Sequence, residues 1–268
     1  MLTAYAMTAH AIRVVAFTKK NWINTKRNVF TIFEVVFWPT VGVLSVGLLT
    51  RFLDLTPEMS TFVLIGTLAL SLVQICQLDV AYAILFDMWG KSAKHQFLAP
   101  ISPWHMVLGS WLMGVVRGLV VFGLLAGVAR LAFGFNFFSP GLVAVSSFLL
   151  GMFLTAGVIG IFVCTLLLLF GLRAEVSAWS GVSLVLLLCG IYYPVSLLPE
   201  PFMTLAAWIP LTHFLEAFRG HYGFTPIFQA PLLKGFLSAG AYLALSYWGL
   251  TAAIKRARRN GLLLKLSE

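Results

Sequence analysis

The sequence predicts an all-α integral membrane protein with six transmembrane helices. Hydrophobic residues make up 60% of the 268 positions and charged residues only 10%, whereas a soluble domain carries about 25% charged residues. The apolar residues collect into runs that are long enough to cross a bilayer, which takes about 20 residues in a helix. Transmembrane strands would instead alternate polar and apolar positions over about ten residues, and these runs do not alternate in that way.

The six spans are placed where charged residues are sparse. The first contains only Glu34, the second includes Asp79, and the third is interrupted by Arg117. The uncharged run 131–172 is too long for one helix, and the sequence NFFSPG within it predicts a turn before the fourth span. The predicted spans are 28–50, 59–86, 104–129, 142–172, 176–198 and 235–254.

Basic residues are distributed unevenly between the two sides of this six-span arrangement. Four lie near one side and Arg117 lies within a span, while the other side holds Arg13, Lys19, Lys20, Lys26, Arg27, Lys91, Lys94, Arg173, Lys255, Arg256, Arg258, Arg259 and Lys265. The positive-inside rule therefore predicts a multi-pass protein of the cell inner (plasma) membrane with both termini in the cytoplasm. The net charge of +9 is explained by this asymmetry and by anionic lipid headgroups, so no nucleic acid partner is predicted.

Two charges inside the spans predict an intramembrane ion pair. Charge within a bilayer is costly and is usually paired or functional. Asp79 lies seven residues before the end of the second span and Arg117 about twelve after the start of the third. A rise of 1.5 Å per residue puts both at a similar depth on neighbouring helices. The pair either locks the bundle or relays motion, and Glu34 is expected near the interface or the N-terminal helix.

The segment before the first span predicts a helix that lies flat on the membrane. Residues 1–28 place Ile12, Val15 and Trp22 among several basic side chains, and a basic amphipathic helix with a tryptophan is typical of the cytoplasmic interface. A plain N-terminal anchor is the alternative interpretation.

The loop between the second and third spans contains a fragment of a nucleotide-binding motif. Gly90, Lys91 and Ser92 match the end of a Walker A sequence, but Leu85 stands where its first glycine belongs, and no core strand precedes it. We therefore expect no nucleotide site in this chain, and ATP would have to bind to a separate chain.

The most specific pattern is the stretch 190–220, GIYYPVSLLPEPFMTLAAWIPLTHFLEAFRG. It combines the end of an apolar span, a Leu-Pro-Glu-Pro turn, a short amphipathic segment and a helix with Glu and Arg. This order resembles the C-terminal signature of type-2 ABC exporter permeases, and the similarity extends over nearly the whole chain. The resemblance implies a single transmembrane domain, 1–268, with an interfacial elbow helix at 1–28, a cytoplasmic coupling loop at 87–103 and an extracytoplasmic re-entrant helical hairpin at 199–233.

The resemblance also implies that the coupling loop docks into a groove on an ATPase subunit. The residues expected to make this contact are Asp87, Trp89, Lys91, Lys94, Phe97, Leu98 and Pro100. An aromatic anchor with a charged rim is typical of an interface hot spot. The alternative is an ordinary basic cytoplasmic loop.

Aromatic and polar residues beside Pro39 and Pro194 predict a translocation path at the centre of a dimer. The path residues are Phe37, Trp38, Gln74, Gln77, Tyr192 and Tyr193. The alternative is that the aromatic residues form interfacial belts. In the hairpin, Glu216 and Arg219 are expected to pair with each other or to face the mouth of the path. His213, Glu216 and His221 could suggest metal ligands, but only His213 and Glu216 share a helical face. No metal site is predicted, because zinc needs at least three converging ligands.

These features predict the permease subunit of an ATP-driven exporter, without catalytic residues of its own. Family membership implies two ATPase subunits that bind ATP and Mg, and a second copy of this permease or a paralogue. The stretch NTKRNVFTIFEVVFWP lacks the Arg-Tyr-rich motif of polysaccharide exporters. An amphipathic, lipid-like or drug-like substrate is therefore favoured over a long glycan. A glycoconjugate is also among the expected substrates. A non-transporting scaffold or assembly factor and a membrane-embedded enzyme are the alternatives.

Overall fold

The protein is a bundle of α-helices, seen in a computed structural model that describes residues 2–27, 29–92, 96 and 101–260. Short 3₁₀ turns occur at Gly171–Ala174 and Val195–Leu197. The helices are α1 Leu2–Arg27, α2 Val29–Phe52, α3 Pro57–Trp89, α4 Pro103–Phe133, α5 Leu142–Phe170, α6 Val176–Leu188, α7 Glu200–Ala206, α8 Pro210–Gly220 and α9 Pro231–Arg259.

Within this described part of the chain, five helical stretches are long and apolar enough to cross a membrane. They are Phe33–Phe52, Pro57–Trp89, Pro103–Phe133, Leu142–Ala174 and Pro231–Arg259. Each overlaps one of the predicted spans, so the multi-pass helical architecture is confirmed.

The predicted span 176–198 differs from the other five. Its helix, α6, has 13 residues and is about 20 Å long at 1.5 Å per residue, which is shorter than the roughly 30 Å of a hydrocarbon core. The helix ends before Gly190, whose φ of 65° is a left-handed value that favours glycine. The chain then continues without α-helix to the hairpin. The count of six spans and the re-entry of the hairpin stay predictions.

α3 is the central helix of the bundle. It packs against α2, α4, α5, α6 and α8, and a helix surrounded in this way buries apolar residues on several faces. Its contact with α4 is close at Gly114, where an added Cβ would lie 2.9 Å from the Sγ of Cys76. Small residues allow membrane helices to approach closely. α9 packs on α5 and α8 at the edge of the bundle.

α1 is attached to the start of α4 by polar contacts. The Thr18 hydroxyl donates to the carbonyl oxygen of Gly109 at 2.9 Å, and Asn21 Nδ2 donates to Ser110 Oγ at 2.8 Å. Trp22 points away from these contacts and is exposed. α1 therefore docks on the bundle along one face and keeps a tryptophan on the other, as expected for a helix at a membrane interface.

The broken end of α6 is held by an arginine of α8. Arg219 Nη1 donates to the carbonyl oxygen of Gly190 at 2.6 Å, and Nη2 donates to the carbonyl oxygens of Ile191 and Phe62 at 2.7 and 3.0 Å. The guanidinium also lies over the Phe62 ring, with Cζ 3.4 Å from the ring centroid. Lipid offers no hydrogen-bond donors, so carbonyls released where a membrane helix breaks need donors from the protein. Arg219 thereby joins α3, the end of α6 and α8.

Glu216 and Arg219 do not form the ion pair with each other that their spacing predicted as one alternative. The ion pairs of the described residues are Lys20–Asp87 and Asp79–Arg117. Glu216 Oε2 accepts a hydrogen bond from the backbone N–H of Phe228 at 3.2 Å. Burial lowers the pKa of Arg219 to about 9, although the nearby Glu216 carboxylate opposes this shift, so the guanidinium stays charged at neutral pH. Its N–H groups donate instead to carbonyl oxygens of the chain that follows α6, which accept no other hydrogen bond among the described residues.

We expect Arg219→Gln to lower the free energy of unfolding by about 3–5 kcal/mol. The substitution removes charge-assisted hydrogen bonds, each worth roughly 1.5–3 kcal/mol, from the buried carbonyl groups of Gly190 and Ile191 and the half-buried one of Phe62. Thermal unfolding of the purified protein in detergent measures the loss. Arg130→Gln, at an exposed arginine near the end of α4, is the matched control, and equal stability of the two variants would contradict this role of Arg219.

Candidate functional site

A cavity of about 270 Å³ opens between α2, α3, α4 and α6. Its wall combines aromatic, apolar, hydroxyl, amide and charged side chains. The residues that line it are Glu34, Val35, Trp38, Pro39, Gly42, Thr67, Leu70, Ser71, Gln74, Ile75, Leu78, Tyr82, Arg117, Trp179 and Tyr192. Such a mixture of a mainly apolar wall and a few polar groups is typical of a site for a small amphipathic molecule.

α3 supplies a polar stripe to this cavity. Thr67, Ser71 and Gln74 lie at intervals of four and three residues, so they share one face of the helix. The Thr67 and Ser71 hydroxyls donate to carbonyl oxygens one turn earlier, at 2.8 and 3.0 Å. These bonds satisfy the hydroxyl protons of both residues. Gln74 is exposed, so its amide remains the most accessible polar group of the stripe.

A buried ion pair lies at the edge of the cavity. Arg117 Nη1 donates to Asp79 Oδ1, and both residues are buried. Arg117 also lines the cavity, so the pair connects the cavity to the interface of α3 and α4. Asp79 Oδ2 and Arg117 Nε have no hydrogen-bond partner among the described residues. The structure therefore brings the two predicted partners together and leaves each with an unused polar atom.

Three of the six predicted path residues line the cavity, namely Trp38, Gln74 and Tyr192. The remaining three, Phe37, Gln77 and Tyr193, lie elsewhere.

Each of those three has a different environment. Phe37 stacks on Phe33 with ring centroids 4.7 Å apart, on an exposed face of α2. Gln77 is buried, and its Nε2 donates to the carbonyl oxygen of Ala178 at 2.8 Å. The Tyr193 hydroxyl donates to the carbonyl oxygen of Leu187, next to the broken end of α6. Gln77 and Tyr193 therefore satisfy backbone groups of α6 and do not line this cavity.

The sequence interpretation missed two aromatic residues of the cavity, Tyr82 and Trp179. Tyr82 follows Gln74 and Leu78 at four-residue intervals, so extending the polar stripe of α3 toward the C-terminal end of the helix would have found it. Trp179 lies in α6, where the sequence offers no comparable periodic signal. Glu34, which was expected near the interface, lies one turn before Trp38 on the cavity wall.

The predicted coupling loop is tied to α1 by a cluster of hydrogen bonds. Lys20 Nζ donates to Asp87 Oδ2 at 2.6 Å and to Gln96 Oε1 at 2.7 Å, and the Ser92 hydroxyl donates to Asp87 Oδ1 at 3.0 Å. Asp87 is buried. The sequence grouped it with residues that contact an ATPase, but the structure shows that its carboxylate is occupied by the chain's own groups. It positions the loop against α1.

Trp89 ends α3 with an exposed side chain, 44% accessible. Its ring contacts Phe86 and Tyr82, with centroids 5.7 and 6.0 Å away, so an aromatic ladder leads from the surface toward the cavity. Lys91 is exposed next to it. The other predicted coupling residues, Lys94, Phe97, Leu98 and Pro100, lie outside the described residues.

The fold and this site define a polytopic membrane protein with an amphipathic cavity beside a buried ion pair. A family profile described as "ABC-2 type transporter" matches residues 13–222. The chain therefore belongs to the ABC-2 type transporter family and is a membrane permease component of an ABC transporter, as the resemblance predicted. An uncharacterized protein of Archaeoglobus fulgidus is 47% identical over 45 residues, which is 17% of this chain and 70% of that protein.

We expect Asp79 and Arg117 to show strong energetic coupling. Asp79→Asn or Arg117→Met leaves one buried charge without its partner, which costs about 3–5 kcal/mol. The double variant should recover part of this loss, because no uncompensated charge remains. A double-mutant cycle of unfolding free energies in detergent measures the coupling, and additive single losses would refute it.

We expect Lys20→Met to loosen the coupling loop with little effect on global stability. The Lys20–Asp87 pair has side chains 33% and 10% exposed, and a partly exposed pair contributes at most about 1 kcal/mol. Local opening of residues 87–92 should nevertheless become more frequent, which amide hydrogen exchange detects. Lys19→Met, at the adjacent exposed lysine, is the control. Equal exchange in the two variants would show that Lys20 does not hold the loop.

Proposed function

We propose that this chain is the transmembrane subunit of an ATP-driven exporter, and that the cavity is one subunit's part of the translocation path. The substrate is an amphipathic molecule that moves out of the cytoplasm or the inner leaflet. The observation that carries the proposal is the open amphipathic cavity beside a buried ion pair, in a chain of the ABC-2 type transporter family. A path for such molecules needs apolar surface and polar groups together.

A second copy of this permease, or a paralogue, would complete the path. α2 and α6 border the cavity, and both carry large exposed apolar side chains beside it, among them Phe33, Phe37 and Trp179. Apolar surface of this kind faces either lipid or another protein in a membrane. In a dimer these helices would meet across the path, with Trp38 near the seam.

The cytoplasmic end of α3 is the proposed docking point for the ATPase. Trp89 stands on the last turn of α3, and the Lys20–Asp87 contact holds the following loop against α1. Movement of the loop would therefore move both α1 and the helix that carries the polar stripe of the cavity. ATP and Mg would bind to two copies of the separate ATPase subunit, and both termini of the permease would lie in the cytoplasm of the cell inner membrane.

A non-transporting membrane scaffold is the rival function. It needs a docking surface but no cavity with accessible polar groups, so the cavity favours transport. A membrane-embedded enzyme would need catalytic groups that converge in the cavity. The charged residues that line the cavity are Glu34 and Arg117, and Arg117 is already paired with Asp79. The cavity therefore does not bring together such a set of catalytic groups.

The proposed function is tested by reconstitution. We expect the purified chain to show no ATPase activity alone and to copurify with an ATPase subunit from its native membrane. In sealed vesicles, this complex should move a fluorescent short-chain lipid between leaflets when ATP is added. ATP hydrolysis by the isolated chain, or a stable complex that moves no lipid or other amphiphile with ATP, would overturn the proposal.

We expect Trp89→Ala to uncouple the permease from the ATPase. Removal of a central aromatic anchor typically costs about 2 kcal/mol or more at an interface, which is about 30-fold in affinity. Association with the ATPase and stimulated ATP hydrolysis should fall together, while thermal unfolding of the permease stays unchanged.

The matched control is Trp208→Ala, an exposed tryptophan (68% accessible) beside the hairpin helix α7. It should leave association and hydrolysis unchanged. If Trp89→Ala behaves like Trp208→Ala, the end of α3 is not the docking point.

A further inference from the structure

The charged side chains on the cavity wall leave a net negative charge. Two charged residues line the cavity, Glu34 and Arg117. The charge of Arg117 is neutralised by its ion pair with Asp79. Glu34 forms no ion pair with any basic side chain of the described residues. The cavity therefore presents one uncompensated carboxylate and no uncompensated cation from the described part of the chain.

Four aromatic side chains line the same cavity as this carboxylate. Trp38 comes from α2, Tyr82 from α3, and Trp179 from α6, while Tyr192 follows the broken end of α6. Trp38 lies four residues after Glu34, so both project from the same face of α2. The faces of tryptophan and tyrosine rings attract cations, and the attraction grows when water is excluded.

We propose that the cavity binds amphipathic organic cations, with Glu34 as the counter-charge and the four aromatic side chains around the apolar body of the ligand. This inference rests on the proposed function for the role of the site, and it names the substrate class. A permanent organic cation cannot lose its charge, so it needs a carboxylate or ring faces wherever lipid excludes water. An anionic amphiphile would meet Glu34 without a free basic partner. The polar stripe of α3, with the exposed Gln74, would accept or donate hydrogen bonds to substituents.

The test uses a pair of ions with the same shape and opposite charge. Tetraphenylphosphonium and tetraphenylborate both carry four phenyl rings around a central atom. Binding of each labelled ion to the purified full-length chain in neutral detergent is measured by equilibrium dialysis. We expect saturable binding of tetraphenylphosphonium and much weaker binding of tetraphenylborate. Equal or tighter binding of tetraphenylborate would overturn the proposal.

Two substitutions probe the residues of the site. Glu34→Gln removes the charge with little change in shape and should weaken tetraphenylphosphonium binding at least about 10-fold, equivalent to about 1.4 kcal/mol. Glu58→Gln, at an exposed carboxylate in the first turn of α3, should bind as the unmodified protein does. Trp38→Leu should also weaken binding, whereas Trp208→Leu, at a tryptophan of similar exposure (68% against 66%), should not. If Glu34→Gln binds tetraphenylphosphonium with unchanged affinity and unfolds at the same temperature, Glu34 is not part of the binding site.

Binding and transport outcomes separate this inference from the proposed function. Dialysis needs no ATPase, so it tests the cation site independently of transport. If the chain binds the cation through Glu34 but its complex with the ATPase moves no amphiphile with ATP, the cation site is supported and the exporter function is contradicted. ATP-driven movement of a neutral or anionic lipid by a chain that does not bind tetraphenylphosphonium would support the exporter and overturn the cation site.

Discussion

Polar groups inside a bilayer must find partners within the protein, and this constraint organises the whole structure. α6 breaks before Gly190, and Arg219 of the hairpin supplies donors to the carbonyls that the break releases. The same guanidinium reaches the Phe62 carbonyl on α3. The Arg219 side chain thus satisfies the carbonyl groups at the end of α6 and attaches the hairpin to the bundle. Gln77 of α3 makes a similar contact near the start of α6, where its side-chain amide donates to the Ala178 carbonyl oxygen.

The cavity lies where α2, α3, α4 and α6 meet. The side chains that bind backbone groups, such as Gln77 and Arg219, are buried, whereas Gln74 and Glu34 are exposed to the cavity. Polar residues of neighbouring sequence positions therefore have different roles, which are decided by the helix face on which they lie. Asp79 and Arg117 combine both roles, because they are buried and one of them also lines the cavity. Their contact joins α3 to α4.

Much of the fold could be predicted from sequence because membrane spans follow from hydrophobicity and length. The five long helices were found in this way, and matched depth was enough to place Asp79 opposite Arg117. The C-terminal end of α6 was not predicted correctly. The apolar run continues past Leu188, and the carbonyl groups after the helix are satisfied by Arg219, which is distant in sequence. Tyr82 and Trp179 were missed for a related reason. Membership of a cavity depends on how helices are rotated against one another, and composition alone does not record that rotation.

The position of Arg219 in the chain has a consequence for biosynthesis. The carbonyls of Phe62 and Gly190 are synthesised 157 and 29 residues before the arginine that satisfies them. Until α8 leaves the ribosome, the carbonyl groups after α6 have no donor from this side chain. The contact that joins α3, the end of α6 and α8 can therefore form only after α8 has been synthesised. A nascent chain that stops before the hairpin would expose the broken helix to the quality-control machinery of the membrane.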